Sequence, residues 1–132
     1  MPGPGADAAI GRGTGGYTAL ITAIEYPDLL RCFVGIEPVI DPEVFGARPV
    51  YVTGQEMNDA SPIRRDKELQ ASVLLISDYG SRSAISYETR LRRADKDVQL
   101  VEYQNARDDL SRSPHRIDML VRIGDFLEAN LQ

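Results

Sequence analysis

A cluster of glycines between an apolar stretch and an amphipathic segment constrains this chain more than any other feature. Residues 11–17 read G-R-G-T-G-G-Y, directly after a short strand candidate at Ala6 to Ile10. Apolar residues then recur at helical spacing until Pro27, at Tyr17, Leu20, Ile21 and Ile24. Glycine adopts backbone conformations that side chains forbid, and it lets two backbones approach closely. The cluster therefore predicts a tight turn from a strand into a helix.

The rest of the chain alternates between apolar runs and helical patterns. Further predicted strands are Cys32 to Ile36, Val73 to Ile76 and Val98 to Tyr103, with a short fifth candidate at Val50 to Val52 and a turn at Ser77 to Ser81. One helix should bury Ala84, Tyr87, Leu91 and Ala94, and the last should bury a stripe of Ile117, Leu120, Val121, Leu127 and Leu131. We expect a single α/β domain over residues 1–132, with a mainly parallel sheet of about four strands flanked by helices.

Composition narrows the classes of partner. A net charge of −5 over 132 residues argues against nucleic acid and against an anionic membrane. Cys32 is the only cysteine, so no internal disulfide can form, and no apolar run reaches the length of a membrane span. The N-terminus lacks the pattern of a signal peptide, which favours the cytoplasm. We expect no metal and no cofactor, since the spacing of Asp95, Asp97, Asp108 and Asp109 fits no metal-binding loop.

Three interpretations of the glycine turn compete. Gly11, Gly13 and Gly16 match the G-x-G-x-x-G of dinucleotide-binding folds, and Glu37 ends the next strand, where an acid that binds ribose would lie. The glycines could instead serve only close packing of strand and helix. The third interpretation is a nucleophile elbow, G-x-S-x-G, with Gly13 at the position of the serine.

The order of further motifs favours the elbow. These motifs are Tyr17 to Leu20, Tyr26 to Leu29, the strand ending at Pro38, Ser61 to Arg64, Leu74 to Ile76, Val98 to Tyr103, Asp109 to Arg112, and Arg116 to Leu120 through Asp125 to Leu127. Together they resemble the C-terminal half of prolyl oligopeptidase-type serine peptidases, members of the α/β-hydrolase superfamily. The resemblance covers nearly the whole chain and implies a truncated α/β-hydrolase-like fold.

The resemblance also implies where a catalytic triad would lie, and the required residue types are missing there. The nucleophile position is Gly13, the histidine position is Asp108, and the acid position falls on Ser81, with Asp78 as the nearest carboxylate. Thr14 lies one residue past the nucleophile position. His115, the only histidine, is expected to be a helix-start or surface residue rather than a base. The resemblance begins at the elbow, so the strands that normally supply one oxyanion donor are expected to be absent.

These observations favour a non-catalytic relative that acts as a binding or assembly module. One alternative is a peptidase or esterase with unusual catalytic residues, such as Thr14. Another is an anion- or nucleotide-binding domain that uses Arg12, Gly13, Thr14 and Gly15 at the start of the helix. We also expect a homodimer, because the Ala6 to Ile10 strand would present an unpaired edge and the helix faces beside it would be exposed.

Overall fold

A computed structural model describes residues 7–40, 54–104 and 113–131. Within them the elements are β1 (Asp7–Arg12), α1 (Thr14–Glu25), β2 (Leu30–Ile36), α2 (Gly54–Asp59), β3 (Ser72–Asp78), α3 (Arg82–Arg93), β4 (Val98–Tyr103) and α4 (Ser113–Leu131). Short 3₁₀ turns lie at Pro62–Arg64 and Asp66–Glu68. The strand candidate at Val50 to Val52 lies outside the described residues. None of the helices in the described ranges is long and apolar enough to cross a membrane.

The four strands form one parallel sheet in the order β1-β2-β3-β4. Within the described residues this confirms the predicted α/β class and a parallel sheet of about four strands. β3 extends to Asp78, beyond the predicted end at Ile76, because Ser77 and Asp78 pair with Glu102 and Tyr103 of β4. Parallel strands place their carboxyl ends at one edge of the sheet. That edge therefore carries the residues after β1 and β2 together with the last residues of β3 and β4.

Helices cover both faces of the sheet, and each face has its own apolar cluster. α1 and α3 pack on one face, where Leu20 and Leu91 join strand residues such as Phe33 and Leu75. α4 packs on the other face, against a second set of strand residues that includes Val34 and Ile76. Burial on both faces explains why the central strands are apolar throughout rather than alternating. The predicted face of α3 is confirmed for Ala84, Tyr87 and Leu91, which are buried, whereas Ala94 is half-buried and lies just past the end of the helix.

The predicted apolar stripe of α4 is wrong except at Leu127. The helix buries Met119, Ile123 and Phe126 against the sheet, with Leu127 partly buried beside them. Ile117, Leu120 and Val121 face solvent, with 63%, 56% and 56% of their surface exposed, and Leu131 is 38% exposed. α4 carries more apolar residues than one buried face can hold. Helical periodicity finds both sets of residues, but it cannot tell which set meets the sheet.

Close packing at the glycine turn joins α1 to the strands. A Cβ atom added at Gly11 would lie 2.6 Å from the Cα of Gly16, and one added at Gly16 would lie 2.8 Å from the Cβ of Pro38. Neither contact is possible without movement of the backbone. A Cβ added at Gly15 would meet no heavy atom within 4 Å. Gly11 and Gly16 are therefore required by packing, whereas Gly15 is not.

The two neighbouring glycines of α1 provide a matched test of this packing. We expect Gly16→Ala to lower the free energy of unfolding by about 1–3 kcal/mol, because the added methyl group clashes with Pro38. Gly15→Ala should raise the free energy of unfolding by about 0.5–1 kcal/mol, because alanine favours the helix. Urea unfolding of both variants beside the parent measures the difference. Equal effects of the two substitutions would contradict the packing.

Candidate functional site

The turn between β1 and α1 places Gly13 in a conformation that side chains rarely adopt. Gly13 has φ 57° and ψ −122°. Its N–H donates to the carbonyl oxygen of Ile36 at 3.1 Å, and its own carbonyl oxygen accepts from Tyr17 and Val39, each at 3.1 Å. Main-chain bonds to the end of β2 and to the residues after it therefore hold the turn without any side chain at position 13.

Position 13 has room for a side chain although it has none. A Cβ added there would meet no heavy atom of the described residues within 4 Å. Thr14 and Gly15 beside it are exposed, and Arg12 before it is exposed as well. A residue with a side chain at this position would point into open space at the carboxyl edge of the sheet. This is the geometry of a strand-to-helix elbow, in which a strained residue presents its side chain.

The first turn of α1 offers main-chain donors beside Gly13. α1 has no acidic residue in its first turn, and no side chain of the described residues caps it. The first N–H groups of a helix lack partners within the helix and carry a partial positive charge. Tyr17, at the end of this turn, anchors the helix through its hydroxyl group, which donates to the carbonyl oxygen of Ala60 at 2.7 Å. Burial raises the pKa of this hydroxyl group.

Glu37 links the carboxyl ends of β2 and β3. It has a left-handed backbone, with φ 48°, and its N–H donates to the carbonyl oxygen of Ile76 at 2.8 Å. Its side-chain carboxylate accepts from the N–H of Asp78. A cleft of about 10 Å³ lies beside it, also lined by Ser77, Ser81 and Ser83, and this volume holds about one water molecule. The carboxylate is thus engaged with the main chain of β3, which argues against the ribose-binding role considered for Glu37.

Ser81 and Asp78 follow Ile76, where the acid of a triad was expected. Ser81 caps α3, since its hydroxyl oxygen accepts from the N–H of Ala84 at 3.5 Å and lies 3.4 Å from the hydroxyl oxygen of Ser83. Asp78 is the last residue of β3, half-buried at the carboxyl edge. Asp78 therefore lies at this edge beside the Glu37 carboxylate, and Ser81 serves the local structure of α3. Asp108, the expected histidine position, lies outside the described residues.

His115 contacts the end of β4. Its ring centroid is 5.2 Å from that of Tyr103, and its Nδ1 atom is buried without a hydrogen-bond partner among the described residues. The Tyr103 hydroxyl group donates to Asp118, which also accepts from Arg122 at 2.9 Å. Burial, followed by the contact with Asp118, raises the pKa of Tyr103 to about 12. These contacts fasten α4 to β4, so the structure gives His115 a packing role near the start of the helix.

Comparisons with known proteins identify the architecture. No protein-family model matches the sequence, and no curated protein matches it. Among solved structures, the chain is similar to the acylaminoacyl peptidase of Pyrococcus horikoshii, with 19% identity and a TM-score of 0.75 over 94% of this chain and 24% of the peptidase.

Two further structures show the same likeness. The chain matches MPT51 of Mycobacterium tuberculosis with 15% identity and a TM-score of 0.65, over 96% of this chain and 61% of that protein. It matches an S-formylglutathione hydrolase of Agrobacterium tumefaciens with 13% identity and a TM-score of 0.60, over 73% of this chain and 40% of the hydrolase. The chain has an α/β-hydrolase-like fold. The predicted resemblance is thus confirmed at the level of the fold, and the chain spans about a quarter of the Pyrococcus peptidase.

Within this α/β-hydrolase-like fold, the structure reveals one contact that sequence reasoning missed. Glu37 was considered only as a ligand for ribose, yet its carboxylate bridges two strands. The only signal in the sequence was a glutamate directly before Pro38, at the end of an apolar strand. Residues before proline usually keep an extended backbone, so this pattern does not predict the left-handed conformation.

Substitution of Glu37 tests its bridging role. Glu37→Ala should lower the free energy of unfolding by about 1.5–3 kcal/mol, because the N–H of Asp78 loses a charged acceptor. Glu37→Gln keeps an acceptor oxygen at the same position along the side chain and should lower the free energy of unfolding by less. Chemical denaturation measures both effects.

Glu102 provides the control for this test. Its carboxylate accepts from the exposed N–H of Gly80 at 2.8 Å, so Glu102→Ala should have a smaller effect than Glu37→Ala. If Glu37→Ala is as stable as the parent, the carboxylate does not hold the two strands together.

Proposed function

We propose that this chain is a non-catalytic α/β-hydrolase relative that acts as a binding or assembly module. The observation that carries the proposal is Gly13, which occupies the elbow position with a positive φ, open space beside it and no side chain. Acyl transfer in this fold requires an oxygen nucleophile at that position, a histidine that takes its proton, and an acid that orients the histidine. The sequence has Asp108 where the resemblance implies the histidine.

Other groups on the described part of the chain are poor substitutes for the nucleophile. Thr14 lies in the first turn of α1, one residue beyond the elbow position. Cys32 is fully buried in β2, and burial raises the pKa of its thiol, so little of the reactive thiolate forms. A single buried thiol also fits a reducing compartment such as the cytoplasm, where we place the protein.

Reactivity toward serine-hydrolase probes tests the proposal. The parent chain should neither turn over activated esters nor become labelled by a fluorophosphonate. Gly13→Ser should lower the free energy of unfolding by about 1–2 kcal/mol, because a side chain strains the left-handed backbone, and it should remain inactive without a base. Mass spectrometry of the labelled protein and unfolding curves measure both effects.

Thr14→Ala is the control for the alternative hypothesis, in which the chain is a hydrolase that uses Thr14. If the parent hydrolyses esters and Thr14→Ala abolishes the reaction, the chain is a hydrolase that uses Thr14. Turnover that survives this substitution would assign the reaction to another residue and would equally contradict a non-catalytic role.

Binding of a small anion at the start of α1 is the second candidate function. The first turn of α1 contains no acidic residue, Thr14 and Gly15 within it are exposed, and the exposed Arg12 lies just before it in the chain. Helix N-termini with free donors bind phosphate-like anions. We propose this site as a weaker alternative, because no buried cationic side chain of the described residues completes it.

Calorimetric titration with inorganic phosphate tests the anion site. We expect binding that weakens several-fold in Arg12→Gln, because the variant loses one attractive charge. Arg93→Gln is the control, because Arg93 is an exposed residue at the C-terminal end of a different helix, α3. Equal binding by the parent and Arg12→Gln would remove the candidate site. Nucleotide binding that depends on Glu37 would support the dinucleotide interpretation instead.

A further inference from the structure

A groove between the end of α3 and the 3₁₀ turn at Asp66–Glu68 carries a concentration of positive charge. Its volume is about 350 Å³, and it is lined by Asp66, Lys67, Arg90, Arg93 and Ala94. Three of these residues are cations and one is an acid, although the whole chain has a net charge of −5. We call these residues together the cationic groove. Clefts lined mainly by one sign of charge attract ligands of the opposite sign.

Two of the three cations in the groove have no ion-pair partner. None of the ion pairs within the described residues involves Lys67 or Arg93, and both of these residues are exposed. Arg90 is held only loosely, since its guanidinium group lies 4.0 Å from the carboxylate of Asp66. An incoming anion therefore meets two free cations and competes with one carboxylate for the third.

The dipole of α3 accounts for part of this arrangement. Arg90 and Arg93 lie in the last turn of α3, where cations stabilise a helix because its C-terminus carries a partial negative charge. Lys67 belongs to the 3₁₀ turn that contacts α3, and it lines the same groove from there. Positive charge thus converges from two elements, and the stability of α3 alone does not require this.

We propose that the cationic groove binds an acidic peptide segment of a partner protein, in which carboxylates occupy alternate residues of an extended backbone. The proposal rests on the binding role proposed above, for which it names a site and the chemistry of the partner. The groove is remote from the elbow. α3 begins after β3, at the carboxyl edge of the sheet, and ends before β4, at the opposite edge.

The spacing of the two arginines favours this class of ligand. Residues three apart on a helix place their Cβ atoms about 5–6 Å apart. Alternate residues of an extended peptide project to the same side and lie about 6.6 Å apart. Successive carboxylates of such a peptide can therefore meet Arg90 and Arg93, and a guanidinium group binds a carboxylate through two parallel N–H groups. Lys67 adds a third charge from the 3₁₀ turn.

Other anions match the groove less well. An exposed ion pair contributes little, so a single phosphate ion gains too little here to bind measurably, in agreement with the use of Arg93→Gln as the control for α1. Only Ala94 adds apolar lining, whereas pockets for small molecules are mostly apolar. Nucleic acid requires contacts to many phosphates, and the net charge of −5 opposes them.

Fluorescence anisotropy of the full chain with a short labelled peptide of alternating glutamate and serine tests the groove. The parent should bind this peptide at low salt and release it as salt is added, because salt screens exposed charges. A peptide of alternating glutamine and serine should not bind. Lys67→Gln and Arg93→Gln should each weaken binding roughly two- to fivefold, as expected for the loss of one exposed ion pair.

Arg92→Gln is the matched control for Arg93→Gln. It removes the same charge from the neighbouring residue of α3, which lies about 100° away around the helix. Arg92 is already paired with Glu88, at 3.2 Å. Arg92→Gln should therefore have a clearly smaller effect on binding of the glutamate peptide. Equal losses in the two variants would assign the binding to overall charge and would overturn the groove.

Asp66→Asn provides a gain of binding that a folding defect cannot produce. The substitution removes the carboxylate that competes for Arg90, so the glutamate peptide should bind roughly two- to fivefold more tightly. Unchanged or weaker binding by Asp66→Asn would contradict the proposal. A parent that does not bind the peptide, or that binds a DNA oligonucleotide more tightly, would overturn it as well. Labelling by fluorophosphonate reports on the elbow alone, so the non-catalytic role and the groove can fail separately.

Discussion

The close contact between the glycine turn and the end of β2 is the constraint on which the rest of the structure depends. Gly16 packs against Pro38, and Gly13 bonds to Ile36 and Val39. These contacts fix the angle at which α1 leaves β1 and hold the segment after β2 against the turn. Because Glu37 lies in that segment, the same contacts position the carboxylate that binds the N–H of Asp78. The carboxyl ends of β1, β2 and β3 are thus held together by main-chain contacts of one turn and by the carboxylate of Glu37.

The sequence predicts the sheet well because burial on two faces leaves a simple pattern. Val73 to Ile76 lies between α4 and the α1–α3 layer, so every position is apolar and the strand is recognisable without any partner. α4 shows the limit of the same reasoning. Met119 and Leu120 are both apolar and adjacent, yet only Met119 is buried. Which of two apolar faces meets the sheet depends on how the helix docks, and the docked helix makes contacts with strands distant in sequence, such as that between Asp118 and Tyr103.

The candidate site also has some features that the sequence predicts and others that it does not. A glycine with a positive φ at the tight turn could be predicted from the motif, because few other residues tolerate that conformation. The bridging role of Glu37 could not, since it depends on Asp78, which is 41 residues away in the chain. Ser81 directly precedes α3 and accepts from the N–H of Ala84, so the residue counted as an acid position serves as a helix cap. Counting along a family pattern places a residue in the chain, but only the fold shows what it contacts.

Elbow geometry and catalysis are separable in this fold, because different atoms provide them. Main-chain bonds from Gly13 to Ile36 and Val39 hold the turn, and Gly11 and Gly16 allow the packing, so no side chain at position 13 contributes. A serine there would strain the left-handed backbone by about 1–2 kcal/mol, which a glycine avoids. The fold therefore does not require a nucleophile at the elbow position. For the same reason, the likeness of this chain to solved hydrolases is evidence for the turn and the sheet, and the chemistry must be argued from the residues alone.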